Sequence, residues 1–123
     1  MAKVTGLGGL FYKVKDSEAT ARWYQETLGV GGEWGAAFPF AGDPGGYALL
    51  SPFKASTDYF EPSAASFMIN LRVDDLDTMI AQLESKGIAI LGRQDEEYGK
   101  FAWILDCDGI KLELFQQVGD APA

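Results

Sequence analysis

The chain uses one unit twice, and that duplication constrains its fold more than any other feature of the sequence. Each copy opens with a short alternating strand, Leu10-Phe11-Tyr12-Lys13-Val14 in the first and Phe67-Met68-Ile69-Asn70-Leu71-Arg72-Val73 in the second. Each continues with an acidic cap signal, an amphipathic helix, a glycine stop and further strands. Val14-Lys15-Asp16 answers to Val73-Asp74-Asp75, and Leu28-Gly29 to Ser85-Lys86-Gly87. The order βαβββ, repeated, predicts an α+β domain in which helices pack on one face of a sheet.

The first helix is expected over Ser17–Leu28. Asp16 or Ser17 caps it, Ala21, Tyr24 and Leu28 form its stripe, and Gly29 takes the left-handed position after it. The second is expected from Leu76 to Lys86, capped by Asp74 or Asp75, with Leu76, Ile80 and Leu83 on one side. Strand patterns cover residues 33–40 and 47–51 in the first copy, joined by the turn Ala41-Gly42-Asp43-Pro44-Gly45-Gly46. In the second copy they cover 88–91, 101–105 and 110–116, with a tight turn at Asp106-Cys107-Asp108-Gly109. One domain, 1–123, thus divides into a first module of about 5–54, a linker of 55–65 and a second module of about 66–118, with a loose tail beyond Val118.

Successive strand residues point to opposite faces, so parity sorts the side chains. One face collects Leu10, Tyr12 and Val14 with Phe67, Ile69, Leu71 and Val73 and with Leu112 and Leu114, and belongs under the helices. The other collects Gly9, Phe11 and Lys13, then Met68, Asn70 and Arg72, then Lys111, Glu113 and Phe115. Bulky apolar groups mixed with charges suit the wall of a groove better than a sealed core or open water. The candidate ligand-binding residues are therefore Phe11, Lys13, Met68, Asn70, Arg72, Trp103, Lys111, Glu113 and Phe115. Glu113 is the best candidate for a general base or acceptor at the groove floor, and its alternative is an ion pair with Lys13, Arg72 or Lys111.

Charge and composition narrow the partners. A net charge of −8 repels phosphate backbones, which argues against nucleic acid. No apolar run approaches the roughly 20 residues that span a bilayer, and no secretory leader is visible. One cysteine cannot form an internal disulfide, and a cytoplasmic setting agrees with it.

Several motifs occur in order: Asp16, Trp23, Tyr24, Leu28 and Gly29 after the first strand, Val73-Asp74-Asp75-Leu76-Asp77, and Leu105-Asp106-x-Asp108-Gly109-x-x-Leu112-Glu113-Leu114. From about Thr5 to Gln117 the chain resembles the vicinal oxygen chelate superfamily of glyoxalases, extradiol dioxygenases and bleomycin- and fosfomycin-resistance proteins. The resemblance implies an open, groove-bearing half-barrel sheet with helices on the outer face, and a homodimer. It also implies a metal site fed by the opening and closing strands of both modules, at Gly9, Leu50, Met68 and Glu113. Of these four, Glu113 alone can ligate a divalent ion. The chain has no histidine, while a catalytic centre needs about three protein ligands.

The expectation is therefore a small-molecule-binding protein of that superfamily, without a catalytic metal or other cofactor. Its alternative is a lyase, isomerase or dioxygenase with an atypical metal site. Phe11, Trp34, Trp103 and Phe115 are candidates to stack on a flat ligand. The segment Asp95-Glu96-Glu97-Tyr98-Gly99-Lys100 is a candidate lid at the groove mouth.

Overall fold

The computed structural model of the chain, which describes residues 1–42 and 45–119, shows the expected alternation of strands and helices, except that among these residues the first module has two strands after its helix and not three. Among them, the elements are β1 (Val4–Val14), α1 (Ser17–Leu28), β2 (Ala36–Pro39), β3 (Tyr47–Lys54), β4 (Phe67–Val73), α2 (Leu76–Ser85), β5 (Gly92–Glu96), β6 (Gly99–Leu105) and β7 (Lys111–Gln117). They form one open mixed sheet in the order β2-β3-β1-β4-β7-β6-β5, with both helices on one face. The two modules meet edge to edge through the antiparallel pair β1·β4, while β1·β3 and β4·β7 are parallel. Asp43 and Pro44 of the expected turn, and the tail from Asp120, lie outside the described residues.

The caps fix both helices. The Asp16 carboxylate accepts from the Ala19 N–H at 3.1 Å, and Asp75 accepts from Thr78 at 3.2 Å, each satisfying a free donor of the first turn. α1 ends on Gly29, whose φ of 68° is the left-handed conformation that favours glycine. α2 lays Leu76 and Met79 on Val73, Ala102, Ile104 and Leu114, which makes the helix-side core.

Two departures from the expected strands have local causes. Residues 88–91 are not a strand. Ile90 packs on the α2 core instead, and the Leu91 N–H reaches the Trp103 carbonyl to start the ladder of β5. The charged segment Gly92–Glu96 is the edge strand, a composition that blunts an open edge and hides its strand signal. Helix cover is also incomplete. Leu7 and Leu10 pair with Leu71 and Ile69 on the helix-side face, in the gap between the helices, and remain 58% and 41% exposed.

Candidate functional site

The opposite, concave face carries the site, and strand pairing sets its geometry. A single register row crosses every strand: Ala37, Leu49, Gly9, Asn70, Glu113, Trp103 and Gly92. Glu113 sits at the middle of this row and is 2% exposed. Its Oε1 accepts from Asn70 Nδ2 at 2.7 Å, and its Oε2 accepts from Trp103 Nε1 at 2.9 Å and from the Tyr59 hydroxyl. Three donors thus replace the water that a buried carboxylate gives up.

The expected ion pair of Glu113 does not form. Among the described residues the ion pairs join Arg93 and Lys100 to Asp77 and Arg93 to Asp95, all on the exterior. Lys111 lies over the Tyr59 and Trp103 rings and donates to the Tyr59 carbonyl at 2.5 Å. Burial pulls its ammonium below the ordinary lysine value, against the opposing pull of Glu113. Lys13 lies over the Phe60 ring. Arg72 is at the far end, surrounded by the rings of Phe40, Tyr47 and Phe115, and donates to the Tyr47 carbonyl and to Gln117.

The linker supplies what the strand pattern could not. Successive turns fold residues 57–63 back over the groove and bury Phe60 completely against Phe11 and Met68. Tyr59 stacks on Phe53 and points its hydroxyl at Glu113. Burial first, and then the Glu113 charge and hydrogen bond, push the Tyr59 phenol well above its ordinary value, so it stays a donor. Two adjacent aromatics in a run of small, polar and turn-forming residues were the available signal, since such rings seldom face water without reason.

A cleft of about 380 Å³ opens above Glu113. Phe11, Phe53 and Tyr59 make one wall, Tyr98 and Phe101 the other, and Glu96 and Gln94 stand at the mouth with Trp34. Among the described residues, no lysine or arginine lines it. Of the candidates read from sequence, Phe11, Glu113 and the stacking candidate Trp34 line this cleft. Asn70 and Trp103 hold the Glu113 carboxylate, Met68 lies under Phe60, and Lys13, Lys111, Arg72 and Phe115 sit to either side. The segment expected as a lid is the β5–β6 hairpin with its turn at Glu97-Tyr98, and it forms the second wall.

The residues level with Glu113 fit a metal poorly. Gly9 pairs with Asn70 while Met68 pairs with Phe11, so Asn70 and not Met68 lies beside Gly9, and Leu49 rather than Leu50 shares that face. Leu50 turns toward Ala21 and Tyr24 of α1. One carboxylate and one amide are fewer than the roughly three ligands a catalytic ion needs, and the carboxylate oxygens are already engaged by donors. Asn70 Oδ1 has no partner and faces Gly8, where a Cβ would lie 1.9 Å from it. Gly8 is therefore the space into which the Asn70 amide fits.

A family model described as the Glyoxalase/Bleomycin resistance protein/Dioxygenase superfamily matches residues 6–114. No curated protein matches the chain significantly. Among solved structures it is similar to a Streptomyces coelicolor methylmalonyl-CoA epimerase variant in complex with 2-nitronate-propionyl-CoA, with 21% identity, TM-score 0.68, and 98% of this chain and 100% of that one covered. It is also similar to a structure described as the NAD-dependent benzaldehyde dehydrogenase from Legionella pneumophila, with 18% identity, TM-score 0.58, and 89% and 97% covered. A third is the Mn(II)-bound glyoxalase from Novosphingobium aromaticivorans, with 16% identity, TM-score 0.61, and 100% and 43% covered. At these identities the likeness is one of fold, and the three descriptions differ in chemistry.

Proposed function

We propose, from the premise that the chain belongs to the glyoxalase/bleomycin resistance protein/dioxygenase superfamily, that it binds a small planar organic molecule in the cleft above Glu113 without a catalytic metal. The observation that carries this reading is a buried carboxylate, held by three donors and reached from a cleft with aromatic walls. Stacking between Phe11–Phe53–Tyr59 and Tyr98–Phe101 favours a flat ring system. Glu113 at the floor and Glu96 at the mouth favour a neutral or cationic ligand with a hydrogen-bond donor. An anion would meet two carboxylates and, among the described lining residues, no lysine or arginine.

Binding of 9-aminoacridine and acridine-9-carboxylate, followed by tryptophan fluorescence, tests this. The amine is expected to bind at least about tenfold more tightly than the carboxylate, a gap of roughly 1.4 kcal/mol, and Glu113→Gln is expected to narrow that gap. Failure of both to bind, or preference for the carboxylate, refutes the reading. Stoichiometric uptake of Mn²⁺, Ni²⁺, Zn²⁺ or Fe²⁺ that disappears in Glu113→Gln would refute its metal-free part.

Two further parts belong to the same proposal. The apolar strip at Leu7, Leu10 and Phe67, exposed between the helices, supports a homodimer that covers it. A monomer by light scattering at micromolar concentration rejects the homodimer. No helix among the described residues is long and apolar enough to cross a membrane. The lone exposed Cys107 supports a reducing, cytoplasmic setting.

A further inference from the structure

The inner cleft borders a second one of different chemistry. Pairing of β3 with β2 ends at Leu50–Ala36, so Ser51–Lys54 continues with one edge that no described strand covers. A cleft of about 380 Å³ opens along that edge. The two clefts meet at Trp34, Ser51 and Phe53, which line both. The loop carrying Trp34 is pressed on β3 because Gly35, at φ 143°, has no side chain: a Cβ there would lie 2.5 Å from the Leu50 carbonyl oxygen. Ser51 Oγ donates to the Trp34 carbonyl at 3.2 Å and secures the contact. The indole itself stays 41% exposed at the junction.

The linings contrast. The inner cleft has aromatic walls and carboxylates as its charged groups. The outer one offers the hydroxyls of Ser17, Ser56 and Thr57, one acid, Glu33, and one base, Lys54. These formal charges cancel. A phosphate or carboxylate there would meet Glu33, and a cation would meet Lys54. A neutral polyhydroxylated group matches better, because each of its hydroxyls both donates and accepts, while its C–H face can lie on the indole.

We infer that the groove's ligand is bipartite: a planar head over Glu113 joined to a neutral, sugar-like tail in the outer cleft beside Trp34. The inference rests on the groove reading above and adds the tail to it. The two volumes together fall within the range of small-ligand sites, roughly 300–1,000 Å³.

A matched pair of coumarins tests the two halves separately at pH 6. Esculin carries one phenol and one β-D-glucosyl group, and scopoletin has a methyl in place of the glucose. Both are fluorescent, so each affinity is read directly. Esculin is expected to bind about tenfold more tightly than scopoletin, the effect of one or two added hydrogen bonds. Glu33→Ala and Lys54→Ala, exposed residues that line the outer cleft and not the inner one, are expected to reduce that ratio at least about threefold and leave scopoletin binding unchanged. Scopoletin binding with a ratio near one overturns the tail and leaves the groove reading intact. If neither compound binds the folded protein, the groove reading itself fails, and the tail with it.

Discussion

Two charges of the concave face, Glu113 and Arg72, form no ion pair among the described residues, and they are held by opposite means. Glu113 is met by donors, namely the Tyr59 hydroxyl, the Asn70 amide and the Trp103 indole N–H, and it faces a cleft. Arg72 is met by acceptors at Tyr47 and Gln117 and is enclosed by the rings of Phe40, Tyr47 and Phe115, each centred 5.4 Å away. The first arrangement leaves a charge that a ligand can reach. The second spends the charge on joining the modules, since Arg72 is on β4 while Tyr47 and Phe40 belong to the first module. A charged residue on a groove face can thus be site or bolt, and its neighbours decide which.

The largest expected effect falls on the bolt. Arg72→Ala removes two charge-assisted hydrogen bonds and three cation–ring contacts, and should cost about 3 kcal/mol in urea unfolding. Acridine binding by the folded fraction should be little changed. Loss of binding with stability intact would place Arg72 in the site and erase the distinction.

A smaller effect should come from behind the carboxylate. Gly8→Ala puts a Cβ where Asn70 Oδ1 lies, and the amide must leave Glu113 or push β1 aside. Overpacking of this kind costs about 2 kcal/mol. If Asn70 is the residue that yields, Asn70→Ala should recover part of the stability in the double variant. No recovery would mean that the backbone, not the amide, takes up the strain.

Much of this contrast was legible in the sequence, and the illegible part has physical causes. Parity alone put Phe11, Asn70, Arg72, Glu113 and Phe115 on one face, because a side-chain period of two survives without knowledge of the partner strand. Level positions across strands did not follow, since parity fixes a face and not a register: the β1·β4 pairing sets Asn70 beside Gly9 and Met68 beside Phe11. Tyr59 and Phe60 escaped because a segment of successive turns has no period to read. Parity also could not separate Arg72 from Glu113: the aromatic cage draws Phe40 from a loop and Tyr47 from β3, contacts that only the fold assembles.

The smallest effect sharpens the comparison most, through pH. Tyr59→Phe removes one donor from Glu113 but keeps the ring on Phe53 and under Lys111, and should cost about 1 kcal/mol near neutrality. In the folded protein the Tyr59 phenol holds its proton more tightly than in the unfolded chain, because of burial and then the Glu113 charge. Its contribution is therefore complete below the unfolded tyrosine value of about 10 and is lost as pH rises beyond it. Wild-type stability should accordingly fall more steeply above about pH 10 than that of Tyr59→Phe. Tyr12 and Tyr47 are raised as well and add the same slope to both proteins, so the difference between the curves isolates Tyr59. Parallel curves would show that Tyr59 swings free of Glu113 in solution, and the donor-held carboxylate would lose the member that links it to the linker.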